Sequence, residues 1–295
     1  MIPSRDHTVD YQARRHEIKF TFTPYYGSAP LDYSAQTLQL AYHKTTLLYE
    51  RLNKKTTGLD PLAVRTTPLV PGDPQLPIAS TADPRLSLDV EGTVVNDKSY
   101  VFLSFFTCLF ESIETTFFSQ RFWISDEYGP YIYHYKENGD LISIIQPPDA
   151  IVPRNSAGDL NFTSASNPAT GRIPNQGTNL LDNAINHTHT FSSIGFEGLT
   201  FDEATSTLYA MLQSAAIQDG GNSKATSRYT RLLAWDVSDP SHPVFKGEWV
   251  VPLPVNSAGN TLACSEIHFV SNNVFLALSR DGDGNGGGSP TSKYK

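Results

Sequence analysis

Cysteine is nearly missing from this sequence, with two residues in 295, Cys108 and Cys264. No framework of disulfides can hold the fold together, although a single bridge stays open. Positive charge is also short: 22 Lys and Arg stand against 30 Asp and Glu, a net charge of −8. That balance argues against a nucleic-acid partner and is compatible with cation binding. Long apolar runs are lacking. The longest, "VFLSFFTCLF", is ten residues (101–110), too short to span a bilayer, so no membrane partner is expected. The N-terminus, "MIPSRDHTVDYQARRHE", has no signal-peptide core and taken literally describes a soluble, cytosolic chain.

What is present points to β-structure. Gly and Pro number 20 each, the aromatics are mostly the 16 Phe and 14 Tyr, and only 18% of residues are charged. Many short strands joined by turns suit this composition better than a helical bundle. A chain of 295 residues is one large domain or two small ones, and all-β propellers and barrels of this size are routinely single domains.

Three segments resemble one another. They are "VEGTVV…RFWISDE" (90–127), "FEGLTFDEATSTLYAMLQ" (196–213) and "SEIHFVSNNVFLALSRD" (265–281). Each runs from a glutamate (Glu91, Glu197, Glu266) through a short strand and a turn into a second strand with a polar or charged end: Asp126-Glu127, Gln213, Arg280-Asp281. Repeats of this kind read as propeller blades, whose inner strands face a central channel and deliver side chains to it. Asp126 and Glu127 then stand at a channel mouth. The alternative is that acidic residues after a strand are turn formers with solvated charges.

At this point the sequence resembles the fungal phytase-like (esterase-like activity of phytase) domain proteins, a β-propeller family. The likeness is carried by "TTGLDPLAVR" (56–65), "LSLDVEG" (86–92), "FWISDEYGPYIYHY" (122–135), "GFEGLTFD" (195–202), "LYAMLQSA" (208–215), "GEWVVPLPV" (247–255), "SEIHFV" (265–270) and "LSRDGDGNG" (278–286). Two stretches interrupt these motifs, 100–120 after the first and 178–194 before "GFEGLT". Both read as non-native insertions, of the kind a retained intron leaves. The resemblance further implies a secretion signal and earlier blade at the N-terminus, of which 2–24 looks a remnant, and more sequence after "SKYK" (292–295). The expectation is therefore all-β: residues 1–295 as a single partial β-propeller, with N-terminal and C-terminal blades missing and an extracellular protein behind it.

The family name suggests ester or phosphoester hydrolysis, and several routes to it are absent. "ARRHEIKF" lacks the Arg-His-Gly-x-Arg loop of a histidine acid phosphatase, leaving His16 as a strand-edge residue. No G-x-S-x-G elbow and no cysteine phosphatase loop occurs. What remains is metal chemistry, since oxygen ligands on loops suit Ca²⁺. The candidates are Glu91, Glu197, Glu266, Asp281 and Asp283 as metal ligands. Glu197, Asp126, Glu127 and Arg280 are the candidate catalytic groups, with Arg280 holding an anion. The same carboxylates can instead cap strands or pair with arginines. "DGDGNG" (281–286) matches the first half of a calcium loop, but Ser292 stands where the bidentate Glu belongs, and a Gly-rich hairpin turn is the other reading. "HTH" (187–189) has metal-like spacing but lies in an interruption. Asn161 and Asn186 head glycosylation sequons.

These readings lead to a cation-dependent ester or phosphoester hydrolase, with Ca²⁺ as the candidate cation, acting on a small molecule as a monomer. The alternative is a non-catalytic binding propeller or an inactive fragment.

Overall fold

The computed structural model describes residues 10–27, 37–96, 121–163, 195–221 and 223–281. The interruptions at 100–120 and 178–194, together with Cys108, Asn186, His187, His189 and Asp283, lie outside the described residues. The described chain is all-β apart from two single turns of 3₁₀-helix, Arg51–Asn53 and Ile217–Asp219.

The N-terminal part forms three small antiparallel pairs. β1 (Arg14–Phe22) pairs with β2 (Leu38–Leu47), β3 (Tyr49–Glu50) with β4 (Lys54–Lys55), and β5 (Ala63–Arg65) with β6 (Leu76–Ile78). His16 sits on β1, exposed, with Nδ1 2.8 Å from the Thr45 hydroxyl. Two four-stranded meanders follow. The first runs β7 (Val90–Asn96), β8 (Arg121–Asp126), β9 (Ile132–Tyr135), β10 (Leu141–Ile145), and the second β11 (Phe196–Asp202), β12 (Thr207–Leu212), β13 (Tyr229–Asp236), β14 (Val244–Pro252). β15 (Ala263–Ser271) and β16 (Val274–Arg280) form a final antiparallel pair.

These sheets stack face to face, which is why their middle strands read as continuous apolar runs instead of alternating ones. Phe122 and Ile124 of β8 pack with Leu76, Leu86 and Leu88 of the N-terminal layer. Trp123, one residue out of phase, points the other way and joins Leu208, Ala210 and Leu212 of β12. Met211 then turns to Cys264 and Ile267 of β15. Period-two alternation thus feeds a different core on each side of every sheet. Trp123, Phe122, Tyr131, Tyr133 and Tyr135 are all fully buried, and aromatics of this size carry much of the burial energy.

The innermost strands β7, β11 and β15 lie side by side. Their close approach depends on glycine. A Cβ at Gly92 would fall 2.6 Å from Leu199 Cβ, and one at Gly198 would fall 2.8 Å from the Ile267 backbone nitrogen. Four-stranded meanders stacked through their faces, with first strands adjacent, are how consecutive blades of a β-propeller are arranged. Beyond the body, the outer half of β1–β2 is an amphipathic ribbon: Ile18, Phe20 and Phe22 face Tyr42, Leu40 and Leu38 across the ladder, all exposed.

Candidate active site

The ladder slips at the same point in each inner strand. β7 pairs Val90 with Asp126 and next Thr93 with Ile124; β11 pairs Phe196 with Leu212 and next Gly198 with Met211; β15 pairs Cys264 with Ser279 and next Glu266 with Leu278. A bulge re-aims the surplus side chain out of the strand's alternation. The residues so placed are Glu91, Glu197 and Ser265. On the neighbouring strand, the residues just past the last pair before the slip are Glu127, Gln213 and Arg280. Three successive sheets therefore present three matched pairs: Glu91 with Glu127, Glu197 with Gln213, and Ser265 with Arg280.

This register differs by one residue from the repeat visible in the sequence. Glu266 aligns with Glu91 and Glu197 by eye, but the bulge puts Ser265 in that position and moves Glu266 to the place of Gly92 and Gly198. There its Oε1 accepts the backbone N–H groups of Leu199 (3.1 Å) and Ile267 (2.8 Å). Glu266 clamps β15 to β11. It has become part of the interface between sheets.

The pairs differ in chemistry. Gln213 Nε2 donates to Glu197 Oε1, and Arg280 Nε donates to the Ser265 hydroxyl at 2.9 Å. In each, a donor meets an acceptor. Glu91 and Glu127 are both carboxylates, which accept but cannot donate unless protonated. Asp89 joins them: one carboxylate oxygen from each of Asp89, Glu91 and Glu127 lies within 4.8 Å of the others. Gln213 Nε2 also reaches Glu127 Oε1 at 3.5 Å, linking the second pair to the first.

Electrostatics follow from this crowding. The Glu197 carboxyl is pushed up to about 7, chiefly by burial, with Asp89 and Glu266 adding to the rise and Arg280 and Gln213 opposing it. Glu91 keeps solvent access at its surface, yet the protein packed around it and the like charges of Glu197, Asp89 and Asp126 push it up to about 9. Tyr11, from the segment before β1, is also raised, mainly by burial and then by Asp89, Asp126 and Glu91, which places it at the edge of the same site.

Asp126 serves a different purpose. It is fully buried, and its carboxylate accepts the N–H groups of Asp89 (2.7 Å) and Gly129 (2.9 Å). It positions Asp89 and the Gly129-Pro130 turn. Asp281 follows directly on β16. Of the residues expected from sequence, Glu91, Glu127, Glu197 and Arg280 come together, while Asp126 and Glu266 hold the backbone around them. Asp89, Gln213 and Ser265 are additions. Asp89 was visible two residues ahead of Glu91 in "LSLDVEG", and Gln213 as the polar end of "LYAMLQ", but Asp89 stands outside the repeated glutamate position and Gln213 carries no charge. Asn161 is buried, with its Oδ1 accepting the Thr163 N–H at 3.4 Å, not the exposed setting a glycan needs.

The donor set is all oxygen. Three carboxylates and a nearby amide suit a hard divalent cation and not a thiophilic one.

The family described as "Phytase-like: Esterase-like activity of phytase" matches residues 110–293. A protein named "Uncharacterized secreted protein" from Arthroderma benhamiae is 31% identical over 293 residues, covering 93% of this chain. The chain spans 52% of that relative's length. No solved structure matches. Among the described residues, no helix is long and apolar enough to cross a membrane.

Proposed function

The chain belongs to the phytase-like family, and from that membership and the three matched pairs we propose a secreted, cation-dependent hydrolase of small phosphate or carboxylate esters. The observation that carries the reading is the change of charge across the pairs. Glu91 with Glu127 offers two carboxylates, Glu197 with Gln213 one, and Ser265 with Arg280 a cation. One side of the site suits a metal ion and the other an anionic group.

A divalent cation, when bound, would supply Lewis acidity toward the ester oxygen and toward water. Asp89, Glu91 and Glu127 are the residues that would hold it. Arg280, fixed by Ser265, pairs with a negative oxygen of the substrate. Glu197 is the general base: buried, with a carboxyl pushed up to about 7, it exchanges a proton near neutral pH, where such a group is most effective. Gln213 holds it in place.

Hydrolysis of p-nitrophenyl phosphate and p-nitrophenyl acetate, assayed with calcium and with a chelator, tests this. Turnover should require calcium and fall by about a hundredfold or more in Glu197→Gln. Calcium binding without turnover of either ester would support a binding propeller instead.

A further inference from the structure

Gln213 does more in its pair than hold Glu197. Its side chain is 1% exposed, and its backbone is fixed on both sides: its N–H donates to Gly195 O (3.1 Å) and its carbonyl accepts the Cys264 N–H (2.8 Å). Its Nε2 is directed at Glu197 and Glu127, and its Oε1 is buried with no hydrogen-bond partner. A buried carbonyl oxygen left without a partner is destabilising. Here the cost is compounded, because an amide whose nitrogen touches two carboxylates holds its own negative oxygen in their neighbourhood.

A hydrogen-bond donor would relieve that oxygen, but Arg280, the cation of the site, already donates its Nε to Ser265, and the groups that the amide itself meets, Glu197 and Glu127, are acids. A cation relieves it and the carboxylates together. We propose that Gln213 Oε1 is an uncharged ligand of a divalent cation held by Asp89, Glu91 and Glu127, an assignment that rests on the cation reading above. Calcium takes six to eight oxygens and accepts amide carbonyls beside carboxylates. The amide would then have two roles at once: its oxygen would help to hold the cation, while its nitrogen donates to Glu197.

Terbium luminescence on the full chain tests this, because Tb³⁺ shares calcium's preference for hard oxygens and its lifetime in H₂O against D₂O counts coordinated waters. Gln213→Met removes the oxygen and should weaken Tb³⁺ and Ca²⁺ binding by about tenfold or more while admitting about one further coordinated water. Gln213→Glu restores an oxygen and should bind at least as tightly as the natural protein, with its water count unchanged. This second variant decides the matter if Gln213→Met does not fold. Equal affinity and equal water count in Gln213→Met, or weakened binding in Gln213→Glu, would overturn the ligand role and leave Gln213 as a support for Glu197. If the unsubstituted chain binds neither ion saturably, the cation reading itself fails.

Discussion

The sheet β7–β10 and the sheet β11–β14 share one backbone plan and differ at the ends that carry the matched pairs. Each is a four-stranded meander with a bulge in its first strand, a glycine just after the bulge and a buried face against its neighbour. In the second sheet the matched residues satisfy each other, Gln213 donating to Glu197. In the first they are two acids, with a third, Asp89, beside them. The positions just before them differ in the same sense: Asp126 is a buried carboxylate tied to backbone, whereas its counterpart Leu212 is core. The scaffold is thus repeated, and the chemistry is written onto it by single side chains at equivalent bulges. Such a scheme brings unlike groups together without changing the fold.

The scaffold half of this comparison breaks most easily at the inner strands. Gly198→Ala places a Cβ 2.8 Å from the Ile267 backbone nitrogen, and relief requires β15 to move. We expect a loss of about 1–3 kcal/mol in urea unfolding, with Trp123→Ala, which empties a site between the sheets, costing about 3–5 kcal/mol. Unchanged midpoints would mean that the sheets do not pack as described.

Asp126→Ala should come next, at about 2–3 kcal/mol, because it leaves the N–H groups of Asp89 and Gly129 without their acceptor. It should also weaken calcium binding, since Asp89 loses its support. Asp126→Asn retains one acceptor and should recover part of both effects. If Asp126→Ala lowers stability and leaves calcium affinity untouched, Asp89 is not a ligand.

A pH series sharpens the contrast further. Glu197 is raised to about 7 and Glu91 to about 9 from an ordinary value of 4.5. Groups raised in this way bind protons better folded than unfolded. Their contribution is therefore complete below about 4.5 and is lost as pH rises through 7 and then 9. In chelator, the melting temperature should fall as pH climbs from about 5 to 9. Calcium should flatten that slope by replacing the protons. A melting temperature that rises over this range in chelator would contradict the electrostatics of the site. Glu91→Gln, which removes a group that must take up a proton on folding at this pH, should raise the melting temperature in chelator at pH near 8 by a few degrees.

Much of this was legible in the sequence. The aromatic run of "RFWISDE" and the recurring Glu-Gly gave strands, repeats and the acids at their ends, because period-two burial and glycine are local signals. The one-residue slip that substitutes Ser265 for Glu266 was not, because a bulge is defined by which residues pair across the ladder, and that is fixed by the fit of Gly198 against Ile267. The division between Asp126 and Glu127 was hidden for a similar reason. Adjacent carboxylates look alike in a string, and only the fold turns one into the backbone and the other toward Asp89 and Glu91. Gln213 gained its meaning solely from the two glutamates brought to it from other strands.

The central claim is that Glu91 and Glu127, unlike their counterparts, come together to share a cation. Thermal melting at pH near 8, with chelator and with millimolar calcium, tests it most directly when the unsubstituted chain is compared with Glu127→Gln. The account predicts that calcium raises the melting temperature of the natural chain by several degrees, as ligation to the folded state requires, and that Glu127→Gln abolishes most of that rise while melting no lower than the natural chain in chelator. A calcium-induced rise of equal size in both proteins, or none in the natural chain, would contradict it.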